Sequence, residues 1–420
     1  MKYSFLFSLA SLESPSSSAS AETVVRVLHQ NANVEFLGIW QLAAAEYERA
    51  HPRVKIHFDY LENEEFKAKL SALLQSKDHP SVFHSWGGGV MLEQIHAGFC
   101  QDITDAIAGD FKDSFYPVGV QAFMSQDKSY GLPDSAGPIV LWYNQELCYQ
   151  ARVNPSEIKY WEDLLEAVKK CREAGFTPIA VGGSEKWPLQ FYPALLMMRI
   201  LGKSGMASAY KGDNGGFAGP DVVKAWKMYK ELCEMDPFQE GFLTTKTGES
   251  VGFFHDGKAA FHLQAGAWVV GVGRTYAANR QGLPDAKLGW FFFPEVQGGK
   301  GKANDIFGSV YGWLISQDAP KEALEFMKVL LGKDIQTKLA AAGLSIPMVK
   351  GTAEAIQNPF YKALALEVNH SDWTCLAMDQ LLGRETGRVF NDEALAVATG
   401  TKSPEQAAQA IENFWSQNRI

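Results

Sequence analysis

Between Thr23 and Ser85 the chain alternates between two hydrophobic periods, and this alternation restricts the fold more than any other feature of the sequence. Thr23–His29 (TVVRVLH) is a short β-branched run of the kind found in a buried strand. Glu35–Ala50 reads as an amphipathic helix, stopped by His51-Pro52 because proline disfavours helix at the residue before it. Val54–Tyr60 (VKIHFDY) alternates as a strand, Glu64–Ser76 reads as a second helix, and Ser81–Ser85 as a third strand ending in Trp86-Gly87-Gly88-Gly89. Strand, helix, strand, helix, strand in so short a span implies a right-handed parallel α/β sheet. Ligands bind such sheets at the carboxyl ends of the strands, where His29–Glu35 and Trp86–Gly89 both lie.

The pattern changes at Gly131–Tyr143 (GLPDSAGPIVLWY). Turn residues there lead into an extended apolar run, as in a strand crossing from one lobe to another. Beyond it the sequence predicts helices over Tyr160–Ala174, Pro188–Leu201 and Pro220–Met235, then strands at Lys258–Gln264 and Lys287–Pro294. A Gly-rich loop, Gln297–Lys302, precedes a second crossing at Ile306–Ser316. Helices follow at Lys321–Leu331 and Asp334–Ala342, Gly343–Pro347 breaks the chain, and the remainder is helical, ending at Pro404–Ser416. The length of 420 residues suggests two or three domains.

A formal charge of -9, with no basic block, argues against nucleic acid, where Lys and Arg must neutralise phosphates. No apolar run is long enough for an internal membrane span. Met1–Ala21 has Lys2, an apolar stretch over Tyr3–Leu12 and an A-x-A pattern at Ala19–Ala21, which predicts an export leader. Glu13 and the Ser-rich run fit a disordered tail instead. No cysteine follows the apolar stretch, so the periplasm is expected rather than a lipid-tethered location. Cys100, Cys148, Cys171, Cys233 and Cys375 form no C-x-x-C pair, so no zinc or redox signature arises and at most one disulfide is expected.

Catalytic motifs are missing: no G-x-S-x-G, no H-E-x-x-H and no G-x-x-x-x-G-K-[ST]. The nine His, including His29, His84, His255 and His262, show no ligand spacing, so neither metal nor cofactor is expected. Aromatics do recur beside Gly, Pro or amide residues at element ends: Trp86 in SWGGG, Trp187 in EKWPLQF, Trp268 in QAGAWVVG, and Tyr311 with Trp313 in SVYGWL. A sugar ring needs an aromatic plane for its C–H faces and polar partners for its hydroxyls. Trp313 and Trp226, set inside apolar or helical periodicity, read as core; Trp86 and Trp268, beside glycines, read as binding residues.

Several stretches together resemble the solute-binding proteins of carbohydrate ABC transporters, the maltose-binding-like family. They include EFLGIWQLAAAEYERAHPRVKI, SVFHSWGGGVMLEQIHAGFCQDITD, YGLPDSAGPIVLWYNQEL, DGKAAFHLQAGAWVVG and NDEALAVATGTKSPEQAAQAIENFW, in family order over nearly the whole chain. The resemblance implies an α/β fold of two hinge-linked lobes with the ligand cleft between them. Residues 22–135 with 311–343 would form one lobe, and 136–310 with 344–420 the other. Carried over by position, Trp86, Trp268 and Trp187 are sugar-stacking candidates, and Asn31 and Glu35 hydroxyl-binding candidates. Asp134, Gln264, Ser309 and Tyr311 lie near the crossings, and Arg384 is a further candidate that also fits a solvated helix face. The implied function is binding of a di- or oligosaccharide by a monomer and its delivery to membrane permease subunits. Two other readings stay open: a carbohydrate-active enzyme with its carboxylates hidden among the acids, and the same fold binding a polyamine or another non-sugar solute, with Trp86, Glu35 and Asp134 as a cation cage.

Overall fold

The computed structural model describes residues 22–369, 371 and 373–419, so the leader segment Met1–Ala21 lies outside the described residues. The first elements follow the predicted order: β1 (Thr23–His29), α1 (Val34–Ala50), β2 (Val54–Tyr60), α2 (Asn63–Leu74) and β3 (Val82–Ser85). β1 pairs in parallel with both β2 and β3. The Asn33 side chain caps α1 by accepting the Phe36 N–H at 2.9 Å, satisfying one of the donors a helix start leaves free. Phe36, Trp40, Ala43, Ala44 and Tyr47 form its buried stripe. After Trp86 the chain turns through Gly87, whose φ is +68° and where a Cβ would stand 2.2 Å from the Ala122 carbonyl oxygen, so only glycine fits. The glycine run opens directly into α3 (Gly88–His96), a helix that the loop-like composition conceals.

The chain continues through β4 (Gly131–Asn144), α4 (Trp161–Glu173), β5 (Thr177–Ala180), α5 (Trp187–Lys211), α6 (Pro220–Glu234) and α7 (Thr247–His255). It then forms β6 (Ala259–Ala265), β7 (Leu288–Phe291), β8 (Ile306–Ile315), α8 (Lys321–Leu330), α9 (Lys333–Ala341), β9 (Ile346–Pro347) and α10 (Pro359–Asn369). β10 (Thr374–Leu376), α11 (Met378–Leu381), α12 (Arg384–Ala398) and α13 (Pro404–Gln417) complete it. Among the described residues, ten strands make one mixed sheet, in the order β2-β1-β3-β8-β4-β6-β5, with β7 and β9 on β4 and β10 on β8.

Two long strands join the lobes. Gly131–Pro138 of β4 pairs antiparallel with β8, whereas Ile139–Asn144 pairs with β6 and β7. In β8, Gly312–Ile315 pairs with β3 of the first lobe and Ile306–Gly308 with β10 of the second. Each strand thus has one end in each lobe. β9 pairs with Ser135–Ala136, Tyr116 N–H donates to the Met348 carbonyl at 2.9 Å, and Lys350 N–H to that of Ser114 at 2.8 Å. Contacts with the second lobe are in place at Phe360, whose carbonyl accepts the Trp290 indole N–H at 3.1 Å. Residues 346–350, which the resemblance would group with the second lobe, thus hydrogen-bond to Ser114, Tyr116 and Asp134. Trp226 and Trp313 are fully buried, as their periodicity predicts. The five cysteines are free thiols.

α5 runs past the predicted Leu201 to Lys211 but breaks at Gly202, which has φ +64° and ψ 180°. The break frees carbonyls of the turn before it, and the Gly-rich loop takes them: Gly301 N–H donates to Arg199 and Lys300 N–H to Ile200, at 3.0 and 3.2 Å. The Arg199 guanidinium, 1 % exposed, donates to the carbonyls of Phe293, Ala303 and Asp305 at 2.9–3.3 Å, tying the loop to the base of β8. Burial lowers its pKa to about 10, so it stays charged at neutral pH.

Candidate functional site

α2 is divided by its period. Phe66, Leu70 and Leu74, at i, i+4 and i+8, are buried, while Glu64, Lys67 and Ser71 share another face. That face, with Trp86 and the Val90, Glu93 and Gln94 positions of α3, forms one wall of a cleft of about 700 Å³. Ser184–Lys186 and residues from Asp379 to Asp392, all of the second lobe, form the other. The volume falls within the range of small-molecule sites, roughly 300–1,000 Å³.

The lobes touch beneath this cleft. A Cβ at Gly89 would lie 2.4 Å from the Gly383 nitrogen and 2.6 Å from the Leu381 carbonyl oxygen, so the absence of a side chain lets the two backbones meet. Arg384 N–H donates to Glu93 Oε1 at 2.9 Å across the same boundary. Burial raises the Glu93 pKa, outweighing the opposing pull of Arg384. Lys67 Nζ reaches Asp379 Oδ2 of the other lobe at 3.8 Å and Glu64 Oε1 at 3.2 Å, and stands 5.8 Å from the centre of the Trp86 ring. On the second wall Lys186 pairs with Asp392 at 2.6 Å, Arg388 with Glu385 at 3.3 Å and with Asp392 at 3.2 Å, and Arg384 with Glu385 at 3.0 Å. Lys186 holds a left-handed backbone (φ +64°), a conformation that costs a non-glycine residue about 1–2 kcal/mol and that sites of function tend to retain.

The predicted residues are distributed unevenly about this cleft. Trp86 lines it, with Phe66 and His84 edge-on at 5.8 and 5.1 Å. Arg384 lines it too, exposed at the start of α12. Ser309 and Tyr311 lie on β8; Ser309 Oγ accepts from Gln380, a lining residue, at 2.8 Å, and the Tyr311 ring stacks on His84 at 5.7 Å. Trp187 and Trp268 are partly buried outside the cavity, packed 5.6 Å from Phe191 and 6.4 Å from Tyr276 respectively. Gln264 is fully buried in β6, where its Oε1 accepts from Ala265 N–H. Asn31 Oδ1 accepts from Asn33 N–H in the turn before α1, and Glu35 is exposed on that helix; neither lines the cavity.

Asp134 faces inward rather than into the cleft. It is buried among Trp313 and Gln336, and its Oδ1 has no hydrogen-bond partner. Burial pushes its pKa up to about 7, against the weaker influence of the Trp313 indole and the Gln336 amide. Its folded pKa thus exceeds the ordinary value near 4, so the folded chain holds a proton that the unfolded chain releases between about pH 4 and 7. This contribution to stability is present at low pH and lost as pH rises through that window. Asp134→Asn is therefore expected to raise the melting temperature relative to the parent at pH 8 but not at pH 4, by an amount equivalent to about 2–4 kcal/mol. Calorimetric scans of both proteins at the two pH values check it, and an equal difference at both would refute the assignment.

The other charged cleft residues were not among the sequence candidates: Glu64, Lys67, Glu93, Glu185, Lys186, Asp379, Glu385, Arg388 and Asp392. In sequence, a charged helix face toward a cleft looks the same as one toward bulk water. Among the described residues no group of three or more His, Cys, Asp or Glu is placed to hold a metal ion.

Residues 33–337 match the family of bacterial extracellular solute-binding proteins. An uncharacterized ABC transporter extracellular-binding protein of Pyrococcus horikoshii is 22% identical over 338 residues, covering 72% of this chain and 76% of that protein. The multiple sugar-binding protein of Streptococcus mutans is 23% identical over 380 residues, covering 87% and 85%. The solved structure of a chitin oligosaccharide binding protein superposes with a TM-score of 0.83 at 21% identity, over 94% of this chain and 98% of that one. With two lobes, two crossing strands, a cleft between them and a family match over most of its length, the chain belongs to the bacterial extracellular solute-binding proteins.

Proposed function

We propose that the protein binds a di- or short oligosaccharide in the interlobe cleft and delivers it, outside the cytoplasmic membrane and in the periplasm, to the permease subunits of an ABC transporter, without chemical change. The observation that carries this reading is one cleft of about 700 Å³ with an indole on one wall and hydrogen-bonding side chains from the other lobe opposite it. Trp86 offers an apolar plane to a ring face, and the polar wall offers partners to hydroxyls, which are costly to bury alone. A ligand touching both lobes gains contacts only when they close, so binding shifts the population toward the closed form that a permease can distinguish. The sugar names carried by the Streptococcus mutans relative and by the superposed structure point the same way.

The test is isothermal titration of the purified protein with maltose, cellobiose, xylobiose, N,N′-diacetylchitobiose and their longer homologues, followed by mass spectrometry of the recovered sugar. At least one is expected to bind with a Kd in the micromolar range or below and to return intact. Hydrolysed product would favour an enzyme. A polyamine that raises the melting temperature where no sugar does would favour a cation-binding member of the fold. Nothing favours the cage imagined for that case, since Glu35 is exposed on α1 and Asp134 is buried on β4 beside Trp313 and Gln336.

A further inference from the structure

Resting on that reading, we infer that the cleft is built for uncharged sugars and turns away glycans that carry a carboxylate or phosphate. Every cation facing the cleft already holds a carboxylate of the protein. Lys67 is held by Glu64 and Asp379, and Lys186 by Asp392. Arg388 lies between Glu385 and Asp392, and Arg384 rests on Glu385. Among the described lining residues the acidic side chains outnumber the basic ones six to four, so no positive charge is left over. The two remaining acids are occupied as well, by main-chain donors: Glu93 by Arg384 N–H and Glu185 by Thr247 N–H.

An anionic substituent can therefore be paired only by drawing a cation away from its present partner, leaving that carboxylate uncompensated, at a cost that would grow as bound ligand and closing lobes exclude water. Neutral hydroxyls meet no such conflict. They can accept from the guanidinium and ammonium N–H groups not used in the pairs and donate to carboxylate lone pairs. Selectivity then comes from repulsion of the wrong ligand as much as from attraction of the right one.

The experiment compares a neutral oligosaccharide that binds with its own C6-oxidised uronate, by titration calorimetry at pH 7.5. The uronate is expected to bind at least about 100-fold more weakly, since like charges juxtaposed at an interface cost several kcal/mol. Two further readouts separate charge from the loss of one hydroxyl. Raising the salt should narrow the gap, because screening weakens repulsion. Asp392→Asn, which releases Lys186 and one side of Arg388, should narrow it about tenfold or more. A uronate that binds as tightly as its neutral parent, or whose affinity falls with salt, overturns the inference, as does a gap that Asp392→Asn leaves unchanged. If digalacturonic acid and other acidic sugars bind while neutral ones do not, this inference fails and sugar binding stands. If sugars of neither kind bind, both fail.

Discussion

Trp86→Ala is expected to weaken sugar binding by about 1–3 kcal/mol, roughly 5- to 150-fold in Kd, the range for a stacking residue at the centre of a contact. The ring is the only indole lining the cleft among the described residues, and Phe66 and His84 pack roughly perpendicular to it. The Lys67 ammonium stands 5.8 Å from the centre of the ring. Because Trp86 is only 5% exposed, truncation also removes core packing, so binding must be read on protein shown to be folded by circular dichroism. Trp86→Phe, which keeps an aromatic plane, should recover most of the affinity. Titration calorimetry decides the matter: an alanine variant that folds and binds like the parent would show that the indole is core alone.

Arg199→Met should be the most destabilising of the single changes considered, at about 3–5 kcal/mol. Methionine fills much of the same volume but donates nothing, so the carbonyls of Phe293, Ala303 and Asp305 lose their partner in a buried place. The loop they belong to feeds β8, so the loss reaches the strand that joins the lobes. Differential scanning calorimetry should show a fall in melting temperature on the order of 10 °C. A fall of less than 2–3 °C would mean that water or a shifted loop replaces the guanidinium. Arg199→Lys should recover only part of the loss, since an ammonium cannot reach several carbonyls in one plane.

The strands and helices of the first lobe were legible because their periods of two and 3.6 record which side chains face the core. β2 begins and ends where its alternation predicts, and Trp226 and Trp313 are buried as their spacing demands. β5 and β10, of four and three residues, went unread because so few positions show no period, whereas β3 and β7 of similar length were read from their apolar runs. α3 was hidden because its opening glycines answer to a neighbouring backbone, at Ala122 and Gly383, rather than to helix propensity.

Of the sequence candidates, Trp86 and Arg384 line the cleft and Ser309 touches a lining residue; glycines marked Trp86 and a crossing strand marked Ser309 and Tyr311, whereas Arg384 was carried over by position alone and equally fits an exposed helix face. Asp134 was expected at the cleft from its place near a crossing, and position along a strand does not say which of its two faces meets the cleft. β4 sets that face through its pairing with β8, and the result is a carboxyl group enclosed beside Trp313.

Local order in the chain by itself determined the layered architecture, the crossings and the place of an aromatic beside the glycines after β3, because hydrophobic burial and turn formation act over a few residues. Which charged groups would face one another was decided only in three dimensions. Lys67 and Asp379 are more than three hundred residues apart in sequence yet 3.8 Å apart in space, and Coulomb interaction depends on distance through space and on the medium between, neither of which is written in the order of residues.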